Sequence, residues 1–341
     1  MSDGLQVTRA QSLRTRNTFG IDVATPLALR VRDSKQLPDA LAMAPDALVL
    51  GGGSNLLLVA APDAVLELAN DDIAVSAEND DHVDVRCGAG AVWHDFVMAT
   101  LQRGWSGLEN LSLIPGTVGA SPIQNIGAYG VEVMERIIAV DAWDRHDARW
   151  LRFAAADCAF TYRDSRFKHE PDRYVVTSVE FRLDRQPRLR LDYAGIREEL
   201  ATMGIAEPTA DDVASAVIRI RRRKLPDPAV IGNAGSFFKN PIVASDFADA
   251  LRSEHSDLPV FPAGSPDRRK LSAAWLIDRC GWKGHRDGDA GVSAGHALVL
   301  VNHGNASGAQ LLDLARRIAA SVQERFGVAI EPEPRIIGAS W

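Results

Sequence analysis

The chain has 341 residues, of which 46% are hydrophobic and 24% charged, with a formal net charge of -7. A chain of this length buries roughly three quarters of its unfolded surface and divides into two or three domains. No apolar run approaches the roughly 20 residues that cross a bilayer, and the acidic balance disfavours a nucleic-acid surface, which needs clustered cations to displace counterions.

The first twenty residues, MSDGLQVTRAQSLRTRNTFG, are polar, with scattered arginines and no apolar signal core, so a soluble cytoplasmic protein is expected. Residues 27–50 and 51–70 then read as strand, tight turn, strand: LALRV is followed by ALVLGGGSNLLLV, an apolar run cut by three glycines. A Walker loop would end in GKS or GKT, and a Rossmann fingerprint would open a helix. Here the chain runs into LLLV instead. Two readings are left for Gly51, Gly52, Gly53, Ser54 and Asn55: a plain strand turn, or a nest of backbone N–H groups for an anion such as a pyrophosphate.

The period changes from two in DHVDVRCGAG to about 3.6 in AVWHDFVMATLQRGW, which predicts a strand followed by a helix over 91–103. The long segment LSLIPGTVGASPIQNIGAYG comes next. Gly116, Gly119, Gly127 and Gly130 remove side chains along it, while Thr117, Ser121, Gln124, Asn125 and Tyr129 supply uncharged hydrogen-bonding groups. Ile114, Val118, Ile123 and Ile126 are too apolar for disorder, so a functional loop is predicted. A neutral, donor-rich backbone that comes close to a large flat ligand is what a flavin ring requires.

Strands are predicted at RIIAVDAWD, ARWLRF and RYVVTSVEFRL, making the middle of the chain a mixed sheet and the fold class α+β. From Thr209 to Arg223 the acids at the start and bases at the end predict a helix aligned with its macrodipole, stopped by LPDP. The five charges between Arg219 and Lys224 are either a solvated helix end or a grip on phosphates. In GNAGSFFKNP, Ser236 stands between small flexible residues and two aromatics. Helices follow at VASDFADALRSE, KLSAAWLIDRCGW and 307–326, with a strand at GHALVLVN; in the last helix Leu311, Leu314, Ile318, Val322 and Phe326 form a core stripe. Cys87, Cys158 and Cys280 fit no CxxC spacing and are expected to be reduced core thiols. His94, His146, His169, His285, His296 and His303 fit no HExxH or paired-ligand spacing, so no metal site is expected and surface positions are.

Six motifs, LVLGGGSNLL, IPGTVGASPIQNIGAYG, TYRDSRFK, KLPDP with GNAGSFFKNP, AAWLIDRCGWKG and EPEPRII, together resemble the UDP-N-acetylenolpyruvoylglucosamine reductases (MurB) from about Asn17 to Ile337. The resemblance implies the vanillyl-alcohol-oxidase-like (PCMH-type) FAD-binding fold: two FAD-holding domains at 1–72 and 73–208, a C-terminal α/β substrate domain at 209–329, and residues 330–341 returning to the first. It implies FAD as cofactor and NADPH and UDP-N-acetylglucosamine enolpyruvate as substrates, in a monomer with no nucleic-acid or membrane partner. It also implies the reaction. NADPH reduces FAD, flavin N5 delivers hydride to the enolpyruvyl double bond, and UDP-N-acetylmuramate for peptidoglycan results.

Carried over position by position, the resemblance makes Ser236 the general acid. Arg163 of YRDS and Glu333 of EPE become the groups that stabilise the enolate-like intermediate, with Glu331 the lesser candidate. A glutamate near a substrate carboxylate would be protonated or act through Arg163 and water. The cofactor loops would be Gly51, Gly52, Gly53, Ser54 and Asn55, then Ile114, Pro115, Gly116, Thr117, Gly119, Ala120, Ser121, Gln124, Asn125, Gly127, Ala128, Tyr129 and Gly130, with Arg221 at the flavin pyrimidine edge. Lys224, Asn240 and Tyr193 would hold the diphosphate. Pro334 after the acid, and a chain ending at Trp341, depart from the family pattern. An alcohol oxidase of the same superfamily is the competing enzyme, but such enzymes often hold FAD through a loop histidine, which neither Gly-rich stretch contains. A nucleotide-sugar binding module would have no use for Ser236 and Arg163 together.

Overall fold

The eleven-residue strand Tyr174–Asp184 is rich in Val and Phe on both faces and is buried along nearly its whole length, as a central strand must be. In the computed structural model, which describes residues 4–341, it is the middle of a five-stranded antiparallel sheet. The order is Arg149–Ala154, Ile137–Asp144, Tyr174–Asp184, His82–Gly88, Ile73–Glu78. The helix Trp93–Gln102 lays Trp93, Phe96, Val97 and Leu101 on this sheet, with the Phe96 and Phe181 rings 5.1 Å apart. Leu111 and Val118 of the Gly-rich segment are wholly buried in the same core, and Ile114, Ile123 and Ile126 pack against it. The apolar residues of the loop are what fix its course.

These elements belong to the first of two compact units, formed by the N-terminal stretch to Gln11, Thr25–Gly52 and Pro62–Arg223. A second sheet in this unit runs Leu5–Ser12, Ala24–Val31, Ala64–Leu68, Leu48–Val49, with the last two pairings parallel. Its core is Leu29, Val31, Leu37, Leu41 and Leu66. The helix Ala210–Lys224 presents Val213, Ala216, Val217 and Ile220 to Ile196 and Leu200 of the helix Ile196–Thr202, so by packing it belongs to this unit up to Arg223.

The second unit comprises Ser12–Ala24, Gly53–Ala61 and Lys224–Trp341. The helix Gly308–Phe326 buries the predicted stripe, begins in a Ser307–Gln310 capping box and ends at left-handed Gly327. It lies against a four-stranded sheet, Gly232–Asn233, Leu300–Asn302, Ala290–Val292, Arg286–Asp287; a three-stranded sheet, Ile242–Ala244, Arg268–Leu271, Val260–Pro262, lies beside the helix Ser245–Glu254. The predicted strand–turn–strand at the triple glycine is not a hairpin. Leu48–Val49 pairs with Ala64–Leu68, whereas Leu56–Leu58 pairs in parallel with Arg335–Ile337. Five residues of GGGSN exceed the two-residue turns that return a strand on itself, and Gly53 is fixed elsewhere: at φ +59° a Cβ there would lie 2.0 Å from the Arg16 carbonyl oxygen.

Two further expectations need correction. Cys87 and Cys158 are buried and burial pushes both thiols up to about 12, but Cys280 is only partly buried, its thiol directed at the Ser321 carbonyl. His94 and His296 are not surface residues either. Burial draws both below the ordinary histidine value. Among the described residues no helix is long and apolar enough to cross a membrane, and no cluster of His, Cys, Asp and Glu could hold a metal ion.

The large sheet carries a testable electrostatic contact. Asp84 and Arg182 stand directly opposite on neighbouring strands, and the guanidinium donates to both carboxylate oxygens at 2.8 and 2.7 Å. These bonds hold the Asp84 carboxyl below its usual range against the opposing pull of burial. A depressed carboxylate contributes stability above its unfolded value and loses it as the pH falls through the folded one. Asp84→Asn should therefore cost about 1 kcal/mol at neutral pH, with the difference from the parent in urea melts beginning to shrink as the pH falls below about 4 and vanishing only below the lowered folded-state value.

Candidate active site

In the first unit the two Gly-rich stretches meet backbone to backbone. A Cβ on Gly52 would lie 2.8 Å from the Gly116 Cα, and one on Gly51 would lie 2.8 Å from the Thr117 hydroxyl oxygen. Real Cβ atoms do not approach so closely, so the glycines are a condition of the contact. The second stretch is also stapled to the segment leading into the helix Trp93–Gln102. Gly119 N–H donates to the Ala89 carbonyl at 2.9 Å, Val118 N–H to Ala91 at 2.9 Å, and Trp93 N–H to Gly116 at 3.0 Å. A Cβ on Gly119 would stand 2.5 Å from that of Ala89.

Left-handed backbone is concentrated in and around this loop. Leu113 (φ +58°), Asn125 (+46°), Tyr129 (+50°) and Arg163 (+55°) are non-glycine residues in a region that L side chains rarely adopt, and such strain clusters at functional sites. Each is tied down. Asn125 is wholly buried; its amide donates to the Thr161 carbonyl at 2.9 Å and the Glu132 carboxylate at 2.8 Å, and its oxygen accepts from Met134 N–H. Its side chain is thus spent inside the protein, as is the Ser121 hydroxyl, which donates to the Val118 carbonyl at 2.7 Å.

Arg163 sits in the turn that Asn125 anchors. The Thr161 and Asp164 backbones exchange 3.1 Å bonds, Arg163 donates from its guanidinium to the Gly127 carbonyl at 2.7 Å, and its own carbonyl accepts from Lys168 Nζ at 2.8 Å. Asp164 pairs with His169. Tyr129 and Tyr193 meet edge to face with centroids 5.3 Å apart, Tyr193 half exposed. The Asn110 amide donates to the Tyr129 and Arg190 carbonyls at 3.0 and 2.9 Å. Burial raises the Tyr129 phenol against the opposing field of Arg221, while Arg221 itself is drawn down by burial.

The basic run therefore has several fates. Arg219 and Arg223 pair with the buried Glu199 carboxylate at 3.7 and 2.8 Å, and Arg221 donates from Nε to the Leu113 carbonyl at 3.2 Å. Arg222 and Lys224 are exposed at the end of the helix.

The second unit holds the remaining candidates, including Gly53, Ser54, Asn55 and Lys224. Gly235 is left-handed (φ +68°), its N–H donating to the Asn233 side chain at 3.0 Å, which sets the chain direction into Ser236. Phe237 and Phe238 follow, both wholly buried, so half-buried Ser236 stands on an anchored apolar floor. Glu333 N–H donates to the Phe237 carbonyl at 2.7 Å and its carbonyl accepts from the Asn55 side chain at 3.3 Å. Ser236 and Glu333 are brought together by one bridge between EPE and SFF. Glu331 is exposed and paired with Lys239 at 3.5 Å. The Asn240 oxygen accepts from Ala273 N–H at 3.0 Å, which orients its amide. Sequence reasoning missed Asn110 and His94, which act on backbone groups 19 or more residues away and lie outside the motifs, and it missed the local supports that Asn233 and Lys168 give inside the GNAGSFFKNP and TYRDSRFK motifs.

Comparison with known proteins gives a consistent pattern. An FAD binding domain model matches residues 26–154, and a model of the UDP-N-acetylenolpyruvoylglucosamine reductase C-terminal domain matches 227–337. The chain is 58% identical over 344 residues to the UDP-N-acetylenolpyruvoylglucosamine reductase of Xanthomonas axonopodis pv. citri (strain 306), covering 99% of this chain and 98% of the relative. It is 57% identical to that of Xanthomonas campestris pv. campestris (strain B100), covering 98% and 97%. Among solved structures, the MurB reductase of Thermus caldophilus superposes with a TM-score of 0.68 at 26% identity, covering 97% of this chain and 98% of that one.

The loop contact fits a flavin nucleotide: uncharged backbone is presented at close range, and side-chain bulk is excluded from both stretches. Gly52→Ala should separate them. The flavin absorbance retained per mole of protein after gel filtration is expected to fall at least about tenfold, with the far-ultraviolet circular dichroism unchanged.

Proposed function

Because the chain belongs to the UDP-N-acetylenolpyruvoylglucosamine reductase family, we propose that Ser236, Arg163 and Glu333 carry the chemistry of the reaction it catalyses. That reaction is the NADPH-dependent, FAD-mediated reduction of UDP-N-acetylglucosamine enolpyruvate to UDP-N-acetylmuramate in peptidoglycan synthesis. FAD, held by the loops at 51–55 and 114–130, would supply the hydride chemistry that links NADPH to the enolpyruvyl group. The residues of this chain do the rest: they hold the charge that develops on the substrate and return a proton to it.

Hydride addition at the terminal carbon leaves negative charge shared between the neighbouring carbon and its carboxylate. A carbanionic carbon is basic enough to take the proton of a neutral alcohol, so Ser236 serves where a histidine would otherwise be needed. The observation that carries this reading is the bond from Glu333 N–H to the Phe237 carbonyl. It fixes a hydroxyl and a carboxyl group on adjacent backbone, over two buried rings that exclude water from one side.

Arg163 meets the substrate carboxylate with a planar fork that matches it oxygen for oxygen, so charge gathering there is stabilised by two donors at once. Its orientation is set in advance by the Gly127 and Lys168 bonds. Lys224, Asn240 and Tyr193 grip the diphosphate, with Tyr193 on a half-exposed segment that closes over it. Glu333, not Glu331, supplies the carboxyl group.

Ser236→Ala should leave FAD bound and its reduction by NADPH unchanged, and should slow transfer to the enolpyruvyl substrate about 10²- to 10⁴-fold; near-normal transfer in stopped-flow traces would assign the proton to another acid. Arg163→Lys keeps the charge and loses the fork, and a loss of about ten- to a hundredfold in kcat/KM is expected. A fully active lysine variant would contradict two-point recognition of the carboxylate.

A further inference from the structure

His94 has no part in the reaction as described, yet it is bonded to the cofactor loop. Its Nδ1 accepts the backbone N–H of Leu113 at 3.1 Å. The carbonyl of the same residue accepts from Arg221 Nε at 3.2 Å. Leu113 is thus clamped at both ends of its backbone, in a left-handed conformation (φ +58°) that a leucine does not hold unaided. It lies directly before Ile114, Pro115, Gly116 and Thr117, and Gly116 is the residue that meets Gly52.

The other bonds fastening this part of the loop run from backbone to backbone or, through the Trp93 indole N–H, to the Leu111 carbonyl. None of those donors or acceptors titrates near neutral pH; His94 does. An imidazole accepts at Nδ1 only when neutral, with its proton on Nε2. The charged groups facing it are Asp95 on its own helix, which favours the cation, and Arg221 and Arg222 on the helix Ala210–Lys224, which oppose it together with burial. The balance keeps His94 below the ordinary histidine value, and so keeps the acceptor available.

We propose that His94 is a positioning residue for FAD: its neutral imidazole holds Leu113 in the left-handed turn that brings Gly116 to Gly52, and protonating it releases the loop and loosens the cofactor. The inference rests on 114–117 being part of the FAD cradle. The sign follows from proton linkage. The held loop binds fewer protons than the released one, so FAD is retained at and above neutral pH and lost progressively as the pH falls below about 6.5.

The test uses the holoenzyme and follows release of FAD by its fluorescence after dilution, between about pH 8 and pH 5.5, with circular dichroism recorded on the same samples. In the unmodified protein the affinity should fall several-fold across this range, up to the limit of about tenfold that a single proton sets, before any loss of secondary structure. His94→Asn, whose amide oxygen can stand where Nδ1 does, should hold FAD within about threefold of the parent at pH 8 and show a flat pH profile. His94→Leu should release it at least about tenfold more readily at every pH. The proposal is overturned if the parent shows no acid-dependent release ahead of unfolding, if the leucine variant binds as tightly as the parent, or if the asparagine variant is as loose as the leucine one. Gly116→Ala separates the two levels of the argument: if it too retains FAD in full, the loop is not the cradle, whereas release from Gly116→Ala with retention by His94→Leu sinks the role of His94 alone.

Discussion

Two glycines with no room for a methyl group between them, Gly52 and Gly116, bring two loops that are distant in sequence into backbone contact. Much of the first unit serves to hold that contact. The apolar residues of the second loop are sunk into the core of the five-stranded sheet, the entry to the helix Trp93–Gln102 takes its backbone bonds, and its sharpest reversals are forced at Leu113, Asn125 and Tyr129. A surface of this kind offers peptide groups without side chains in front of them, as a flat neutral ring system with a diphosphate tail demands.

Strain of this sort persists only where the surroundings over-determine it. The buried amide of Asn125 joins the cofactor loop to the turn bearing Arg163 through the Thr161 carbonyl, and Arg163 returns a bond to Gly127 in the same loop. The proposed cofactor cradle and the arginine proposed to meet the substrate carboxylate are therefore parts of one network. Charge is placed with similar economy: Arg219 and Arg223 share the Glu199 carboxylate, and Arg221 is kept partly desolvated beside Tyr129 and Arg163.

The broad reading of the chain came from patterns that act locally. The change of period at 91, the acid-to-base polarity of TADDVASAVIRIRRR and the stripe on the last helix each depend on neighbours three or four residues away, and each element formed within two residues of where the pattern placed it. The partners of the strands flanking the triple glycine were not legible, because parallel pairing with Ala64–Leu68 and with Arg335–Ile337 leaves no mark near position 50. The supports of the site were hidden for the same reason. Asn110 and His94 bond to carbonyl and amide groups, which every residue possesses, so nothing in their spacing announces the partner. Asn125 read naturally as a ligand contact within a polar loop, and its complete burial follows only once the turn at Thr161 is folded against it.

The central claim is that this backbone cradle holds a flavin which only the enolpyruvyl UDP-sugar discharges. It is tested most directly by following the visible flavin absorbance of the purified protein without oxygen. NADPH should bleach the yellow bands, the bleached state should persist on its own, and adding UDP-N-acetylglucosamine enolpyruvate should restore the colour with one equivalent of UDP-N-acetylmuramate formed. Colourless protein, or flavin that stays bleached after the substrate is added, would contradict the account.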